Sequence, residues 1–279
     1  MKAGIIGCGF VGCALAEGIK SSAEILKVDP KLGTNISDLC IFNPDLIFIC
    51  LPTPMALDGT IDISIIENAL IEIKELNLTA LIIIKSTIHP GNIEEIEKKF
   101  PDFVYNPEFL REQFAYEDFV NSDLIVFGGE KRSCKILAKF YENYTKCKNK
   151  EFMFTDAKSA SLIKYAINSF LATKIIFFNE LKELFDNIGT NENWDVFTKL
   201  ISIDKRIGDS HMKVPGDDGK YGFGGACFPK DTSAFLKYAE SRGIKLNLIK
   251  NVINTNNQIR AKYNVTEREK EQNINYTKK

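Results

Sequence analysis

The run Lys2-Ala3-Gly4-Ile5-Ile6-Gly7-Cys8-Gly9-Phe10-Val11-Gly12 decides how the first half of the chain folds. A short apolar stretch passes into a Gly-x-Gly-x-x-Gly turn, and the pattern after it predicts a helix over 10–20. Glycines at 7, 9 and 12 allow a tight turn, close approach of backbone to a pyrophosphate, and close helix–strand packing. The helix N-terminus then faces the anion. Such a turn is weak evidence alone, but here a second apolar strand over 25–28 follows and ends in Asp29. An acidic side chain there accepts ribose hydroxyls and repels a 2′-phosphate, which favours NAD over NADP.

Strand and helix keep alternating downstream. Leu46-Ile47-Phe48-Ile49-Cys50-Leu51 is a continuous apolar run, as expected of a parallel strand buried on both faces. Pro52-Thr53-Pro54 breaks it at the edge where ligands bind in such sheets. Ile63, Ile66, Leu70, Ile73 and Leu76 keep helical spacing, residues 80–84 read as the next strand, and Pro90-Gly91 opens another helix. Strands over 103–105 and 124–127 and a helix over 132–144 complete the set. The economical fold is α/β, a doubly wound, mainly parallel Rossmann-like sheet.

A chain of 279 residues has room for about two domains. Lys+Arg 36 against Asp+Glu 37 gives no global electrostatic case for nucleic acid or an anionic membrane. No apolar run is expected to reach membrane-spanning length, and no leader is expected ahead of the first strand. Seven cysteines without paired spacing suit a reducing compartment, and with only His89 and His211 no metal site is expected. The expectation is a cytoplasmic protein.

In the second half a helical pattern runs over 156–188 without proline, with Thr155 or Asp156 to cap it and Gly189 to end it. That length exceeds the usual helix of a compact domain, so it should bridge domains or pack against a second copy. Phe170, Phe177, Phe178, Ile175, Leu181, Leu184 and Phe185 supply core or dimer contacts. Lys164 and Asn168, four apart, share a face. They could stabilise a developing oxyanion, or be an ordinary solvent-facing polar pair. Gly222-Phe223-Gly224-Gly225-Ala226-Cys227-Phe228-Pro229-Lys230-Asp231 then sets one thiol in a glycine-dense loop. Asp231 is expected to cap a helix over 232–241, and a cysteine ahead of that helix and beside a lysine is in a setting that favours thiolate. The alternative is a buried, inert cysteine. A helix over 246–261 follows, then a polar stretch.

These motifs, together with Lys85-Ser86-Thr87, Asn106-Pro107-Glu108-Phe109-Leu110-Arg111-Glu112, the helix around Lys164, and Arg206-Ile207-Gly208, resemble those of the UDP-glucose dehydrogenase family in order and context. That family comprises NAD-dependent sugar-nucleotide dehydrogenases, and the resemblance covers about residues 1–262. It implies that Thr87 holds a water near the reacting carbon, Glu108 assists thioester hydrolysis, and Glu112 supports the water network. It further implies that Lys164 and Asn168 stabilise oxyanions, Cys227 is the nucleophile, and Asp231 organises water. For the cofactor, the matching positions are Gly7, Gly9, Phe10, Val11, Gly12, Asp29, Pro52, Thr53, Thr87 and Lys230. For the substrate they are Phe109, Leu110, Lys164, Asn168, Arg206, Tyr221, Phe223, Gly224 and Gly225, with Arg206 reaching into a neighbouring subunit.

The implied activity is a four-electron oxidation of the C6 alcohol of a sugar nucleotide, UDP-glucose first, through a cysteine thiohemiacetal and thioester. The implied assembly is a homodimer through the long helix. A two-electron hydroxyacid-type dehydrogenase and a non-catalytic dinucleotide-binding subunit are the alternatives, separated by counting NADH per substrate. The expected organisation is an NAD-binding domain over 1–154, a helical domain over 155–262, and a polar, mobile tail over 263–279. The chain departs from the family in the short connection between Asp29 and Asp45. It also ends where relatives continue into a third domain, so a self-contained short form is expected.

Overall fold

Strand positions follow the apolar runs. The computed structural model describes residues 1–276, and its first unit, Met1–Thr53 with Asp62–Lys164, is built on a sheet of seven strands among those residues. In chain order its elements are β1 (Lys2–Ile6), α1 (Phe10–Gly18), β2 (Glu24–Val28), α2 (Asp38–Phe42), β3 (Leu46–Ile49) and α3 (Ser64–Glu75). They continue with β4 (Leu81–Ile84), α4 (Pro90–Lys99), β5 (Phe103–Tyr105), α5 (Ala115–Val120), β6 (Ile125–Gly129), α6 (Lys131–Tyr144) and β7 (Phe152–Thr155). The strand order is β2-β1-β3-β4-β5-β6-β7. Every pairing is parallel except β5 with β6.

All four residues of β3 are 0% exposed. Leu46 and Phe48 join a core with Leu15, Phe119, Phe127 and Phe140, while Ile47 and Ile49 join another with Ile66, Leu70, Ile93 and Ile96. Alternate residues therefore feed opposite faces, each worth roughly 1.5–3 kcal/mol when fully buried. β1 lies between β2 and β3, so the chain's winding reverses there, the place where sheets of this kind bind ligands at their strands' C-terminal ends. The segment between Asp29 and Asp45, read as one short connection, holds a 3₁₀ turn over Pro30–Leu32 and the short α2. The strand β7 was not foreseen.

The helix α7 (Ala157–Asn187) starts on Asp156, whose carboxylate accepts the Ser159 N–H at 2.9 Å, and ends ahead of Gly189 at φ +68°. The division between the two units falls inside it, after Lys164. Contrary to expectation, its most apolar 18 residues have a mean hydropathy of 1.3, enough by length and composition to cross a membrane, although half of that window is buried in the fold. Polar residues such as Ser169 and Thr173 interrupt the apolar ones of α7, so the sequence shows no unbroken apolar run there.

The second unit comprises Pro54–Ile61 and the chain from Tyr165. Besides the rest of α7 it holds α8 (Trp194–Ser202), α9 (Phe228–Ser241), α10 (Asn247–Arg260) and α11 (Glu267–Glu271). Phe178 and Phe185 pack with Trp194, Met212 and Val214, and Ala172 and Ile176 with Phe223 and Val252. Two expectations are corrected here. Helix α9 begins at Phe228 rather than at 232, with Pro229 in its first turn, where a missing N–H costs nothing. The stretch after 262 is folded over its described residues, because Glu269, Ile274 and Tyr276 are buried.

Candidate active site

The glycine turn lies at the end of β1. A Cβ on Gly7 would sit 2.6 Å from the Cys50 carbonyl oxygen, and one on Gly12 would sit 2.0 Å from that of Gly7. Nothing lies within 4 Å of a Cβ placed on Gly9, which is exposed. Two glycines thus serve packing, and the third leaves space at the N-terminus of α1, where an anion is stabilised. Asp29 follows β2, and its Oδ2 accepts the Cys8 N–H at 2.7 Å, tying the carboxylate to the turn. This cradle fits the pyrophosphate and ribose of a dinucleotide. Phe10 and Val11, half-buried, open α1. Pro52 is exposed and Thr53 buried beyond β3, and Thr87 is half-buried beyond β4.

Buried polar groups gather past β4 and β5. Lys164 Nζ donates to the Glu108 backbone carbonyl and, at 3.0 Å, to Glu108 Oε1, with both side chains at most 5% exposed. Glu108 Oε2 accepts the Leu110 N–H at 2.7 Å, and the Lys164 ammonium lies 5.5 Å from the centre of the Phe109 ring. The solvent-facing alternative for Lys164 is thereby removed. Lys85, at the head of Lys-Ser-Thr, donates to Asn106 Oδ1 at 2.9 Å, and Tyr141 Oη donates to the same oxygen at 2.7 Å. Burial pushes the Lys85 pKa down, and it lifts the Cys50 thiol to about 12, so Cys50 stays protonated. Glu112 is exposed at the head of a 3₁₀ turn, on the surface rather than among these buried groups.

In the second unit Cys227 is the N-cap residue of α9, half-buried. Asp231, expected to be the cap, lies inside the first turn and is 1% exposed. Its Oδ2 accepts from Asn168 Nδ2 at 2.6 Å and its Oδ1 from Lys230 Nζ at 2.7 Å. The glycine-rich loop ahead of Cys227 is held by amide side chains. Asn256 accepts the Phe223 N–H at 2.7 Å and donates to the Phe223 carbonyl at 3.0 Å, while Asn179 accepts the Gly222 N–H at 2.9 Å. Gly222 and Gly225 take φ of +73° and +76°, which favour glycine. Tyr221 and Gly225 are exposed, Phe223 is buried, and Gly224 is half-buried.

Arg206 is exposed and pairs with Asp204 at 2.6 Å. Its turn is held by Lys174, which is 9% exposed and donates to the Ile207 and Gly208 carbonyls at 3.0 and 3.2 Å. Sequence reasoning gave no such role to Lys85, Lys174, Asn179 or Asn256, because the groups they hold lie 21 to 43 residues away along the chain. His89 accepts the Gly91 and Asn92 N–H groups through Nδ1 and so caps α4.

A mainly parallel doubly wound sheet with this glycine turn, followed by a helical region on a long helix, defines a Rossmann-like dehydrogenase fold. Residues 32–146 match the NAD binding domain, and residues 158–258 the central domain, of the UDP-glucose/GDP-mannose dehydrogenase family. The chain belongs to that family. It is 39% identical over 233 residues to a UDP-glucose 6-dehydrogenase of Rickettsia felis, covering 81% of this chain and 50% of the relative. It is 34% identical over 256 residues to UDP-glucose 6-dehydrogenase TuaD of Bacillus subtilis, covering 88% and 53%. The chain thus spans about half the length of these relatives. A solved UDP-glucose dehydrogenase from Pyrobaculum islandicum superposes with a TM-score of 0.76 at 28% identity, over 92% of this chain and 68% of that one.

Proposed function

We propose that this chain carries an NAD-dependent dehydrogenase site that oxidises the C6 alcohol of a sugar nucleotide, UDP-glucose first, to the carboxylate. The observation that carries the proposal is the thiol at the head of α9, one turn before a buried aspartate bonded to Asn168 of α7. A thiol at a helix N-terminus is stabilised as thiolate, the form that adds to a carbonyl.

When bound, NAD⁺ accepts the hydride in each of two oxidations. The Cys227 thiolate adds to the aldehyde as a thiohemiacetal and retains it as a thioester until water hydrolyses it. Covalent attachment keeps the aldehyde from escaping between the two oxidations. Lys164 and Asn168, one turn apart on α7, donate to the oxyanions. Asp231 and Thr87 orient water, and Glu108 assists hydrolysis; Glu112, on the surface, is left without a part in it. In this proposal the glycine turn with Asp29, Pro52, Thr53, Thr87 and Lys230 binds NAD. Phe109, Leu110, Arg206, Tyr221, Phe223, Gly224 and Gly225 contact the sugar nucleotide.

The proposed assembly is a homodimer through α7. Phe170, Phe177 and Leu184 recur every seven residues and are 65%, 58% and 58% exposed, an apolar stripe that a second copy would cover.

The test is to mix the protein with NAD⁺ and a panel of sugar nucleotides and count NADH. Two NADH per sugar, with no free aldehyde, supports the reaction, and one NADH points to a simple two-electron dehydrogenase. Cys227→Ser should end acid production while NAD still binds. Acid formation at the wild-type rate by that variant would overturn the covalent route.

A further inference from the structure

The chain after α10 folds back onto the loop that carries Cys227. We propose that Glu269 is a positioning residue for that loop, so that α11 and Tyr276 belong to the working site. The proposal rests on the dehydrogenase reading for its kinetic consequence, but not for its structural one.

Glu269 is 0% exposed. Its Oε2 accepts from the Thr266 N–H at 2.8 Å and the Thr266 hydroxyl at 2.9 Å, completing the capping box of α11. Its Oε1 serves no purpose within that helix. It accepts the Gly225 N–H at 3.1 Å, Arg260 Nη2 at 3.1 Å and the Tyr276 hydroxyl at 2.6 Å. Gly225 lies two residues before the thiol, so a fully desolvated carboxylate grips the loop at its exposed turn. Burial opposes ionisation of Glu269, but its Thr266, Tyr276 and Gly225 donors outweigh burial and bring its pKa to about 2.

Three further contacts give the segment the character of a strap. Arg260, 1% exposed, holds Asp218 through Nη1 at 2.7 Å, fixing the stretch that leads into the loop. Gly224 has no room for a side chain, because a Cβ would sit 2.0 Å from Arg260 Nη2 and 2.6 Å from Glu269 Oε1. Beyond α11, the Gln272 carbonyl accepts the Met55 N–H at 3.2 Å, and Asn273 Nδ2 donates to the Met55 carbonyl at 3.0 Å. One short segment therefore ties the thiol loop to the loop over Pro54–Ile61, both within the second unit. A charge-assisted bond to a backbone N–H restrains a loop more than a neutral one does.

The test uses the full chain with Glu269→Ala and, in case that variant fails to fold, Tyr276→Phe. Amide hydrogen exchange is followed for the peptide over 221–228, with the β3 peptide as the reference for global opening. Glu269→Ala should speed exchange at 221–228 by about tenfold, with β3 staying within about twofold of wild type. Tyr276→Phe, which leaves the bond to Gly225, should give a smaller rise of the same sign. In the kinetic arm, kcat should fall about tenfold while the KM for NAD⁺ stays within about twofold. Exchange at 221–228 that is unchanged, or that rises only in step with β3, overturns the proposal. If Glu269→Ala does not fold, an unchanged Tyr276→Phe overturns it. If wild-type protein turns over no sugar nucleotide, the dehydrogenase reading fails while the exchange result still decides the positioning role.

Discussion

Gly9→Ala and Gly12→Ala add the same methyl group three residues apart, yet they should damage different properties. At Gly12 the new Cβ would lie 2.0 Å from the Gly7 carbonyl oxygen, so turn and helix must separate by more than an ångström. Overpacking of this kind costs about 1–3 kcal/mol or more, against a helix-propensity gain of about 1 kcal/mol. With the overpacking cost at its upper end the net loss is about 2 kcal/mol, which lowers Tm by roughly 4–8 °C at this chain length. At Gly9 the backbone, φ −70° and ψ −166°, suits alanine, and no atom lies within 4 Å of the added carbon. The fold should change by less than about 1 kcal/mol. The methyl does occupy the space a pyrophosphate would approach, so NAD affinity should fall about ten- to a hundredfold, 1.4–2.7 kcal/mol. Thermal unfolding of both variants and titration calorimetry with NAD⁺ separate the two effects. Equal Tm losses, or an unchanged NAD Kd in Gly9→Ala, would refute the division of labour among the glycines.

Lys164→Met leaves Glu108 buried without its ammonium and should cost about 3–5 kcal/mol in urea unfolding, while adding Glu108→Leu should recover part of that. Strict additivity of the two losses would deny the coupling. Glu269 has its pKa lowered to about 2 from an unfolded value near 4.3, so its contribution is whole above about pH 4.3 and fades as pH falls toward 2. Glu269→Gln should therefore show a shallower decline of Tm between pH 5 and about 2 than wild type does, and an equally steep decline counts against it. Asp29→Asn keeps an oxygen for the Cys8 N–H but drops the charge that would repel a 2′-phosphate. The NAD-over-NADP ratio of kcat/KM should fall about tenfold or more, and an unchanged ratio removes that role from Asp29.

Much of the first unit was legible because strand burial writes itself into composition. Leu46 to Ile49 can be uniformly apolar only where both faces are covered, and the glycine spacing is dictated by steric room within a dozen residues. The start of α9 lies earlier than expected because Asp231, which reads as an N-cap, sits inside the first turn, and Pro229 is tolerated there. The stretch after 262 looked structureless since its residues are polar. The Thr266–Glu269 capping box is local, but the burial of Glu269 requires Arg260 and Tyr276 around it.

By itself, then, the sequence determined six of the seven strands and the glycine turn, since these rest on periodicity and steric allowance between near neighbours, and its motifs carried the resemblance to the family. Tertiary structure alone decided which polar residues are partners. Lys164 meets Glu108 across 56 residues, and Asn168 meets Asp231 across 63. It also separated Phe178 and Phe185, which are core, from Phe170 and Phe177, which are surface. Burying a charge is costly until an opposite charge or a donor arrives, and that arrival is a property of the folded chain, not of any local pattern.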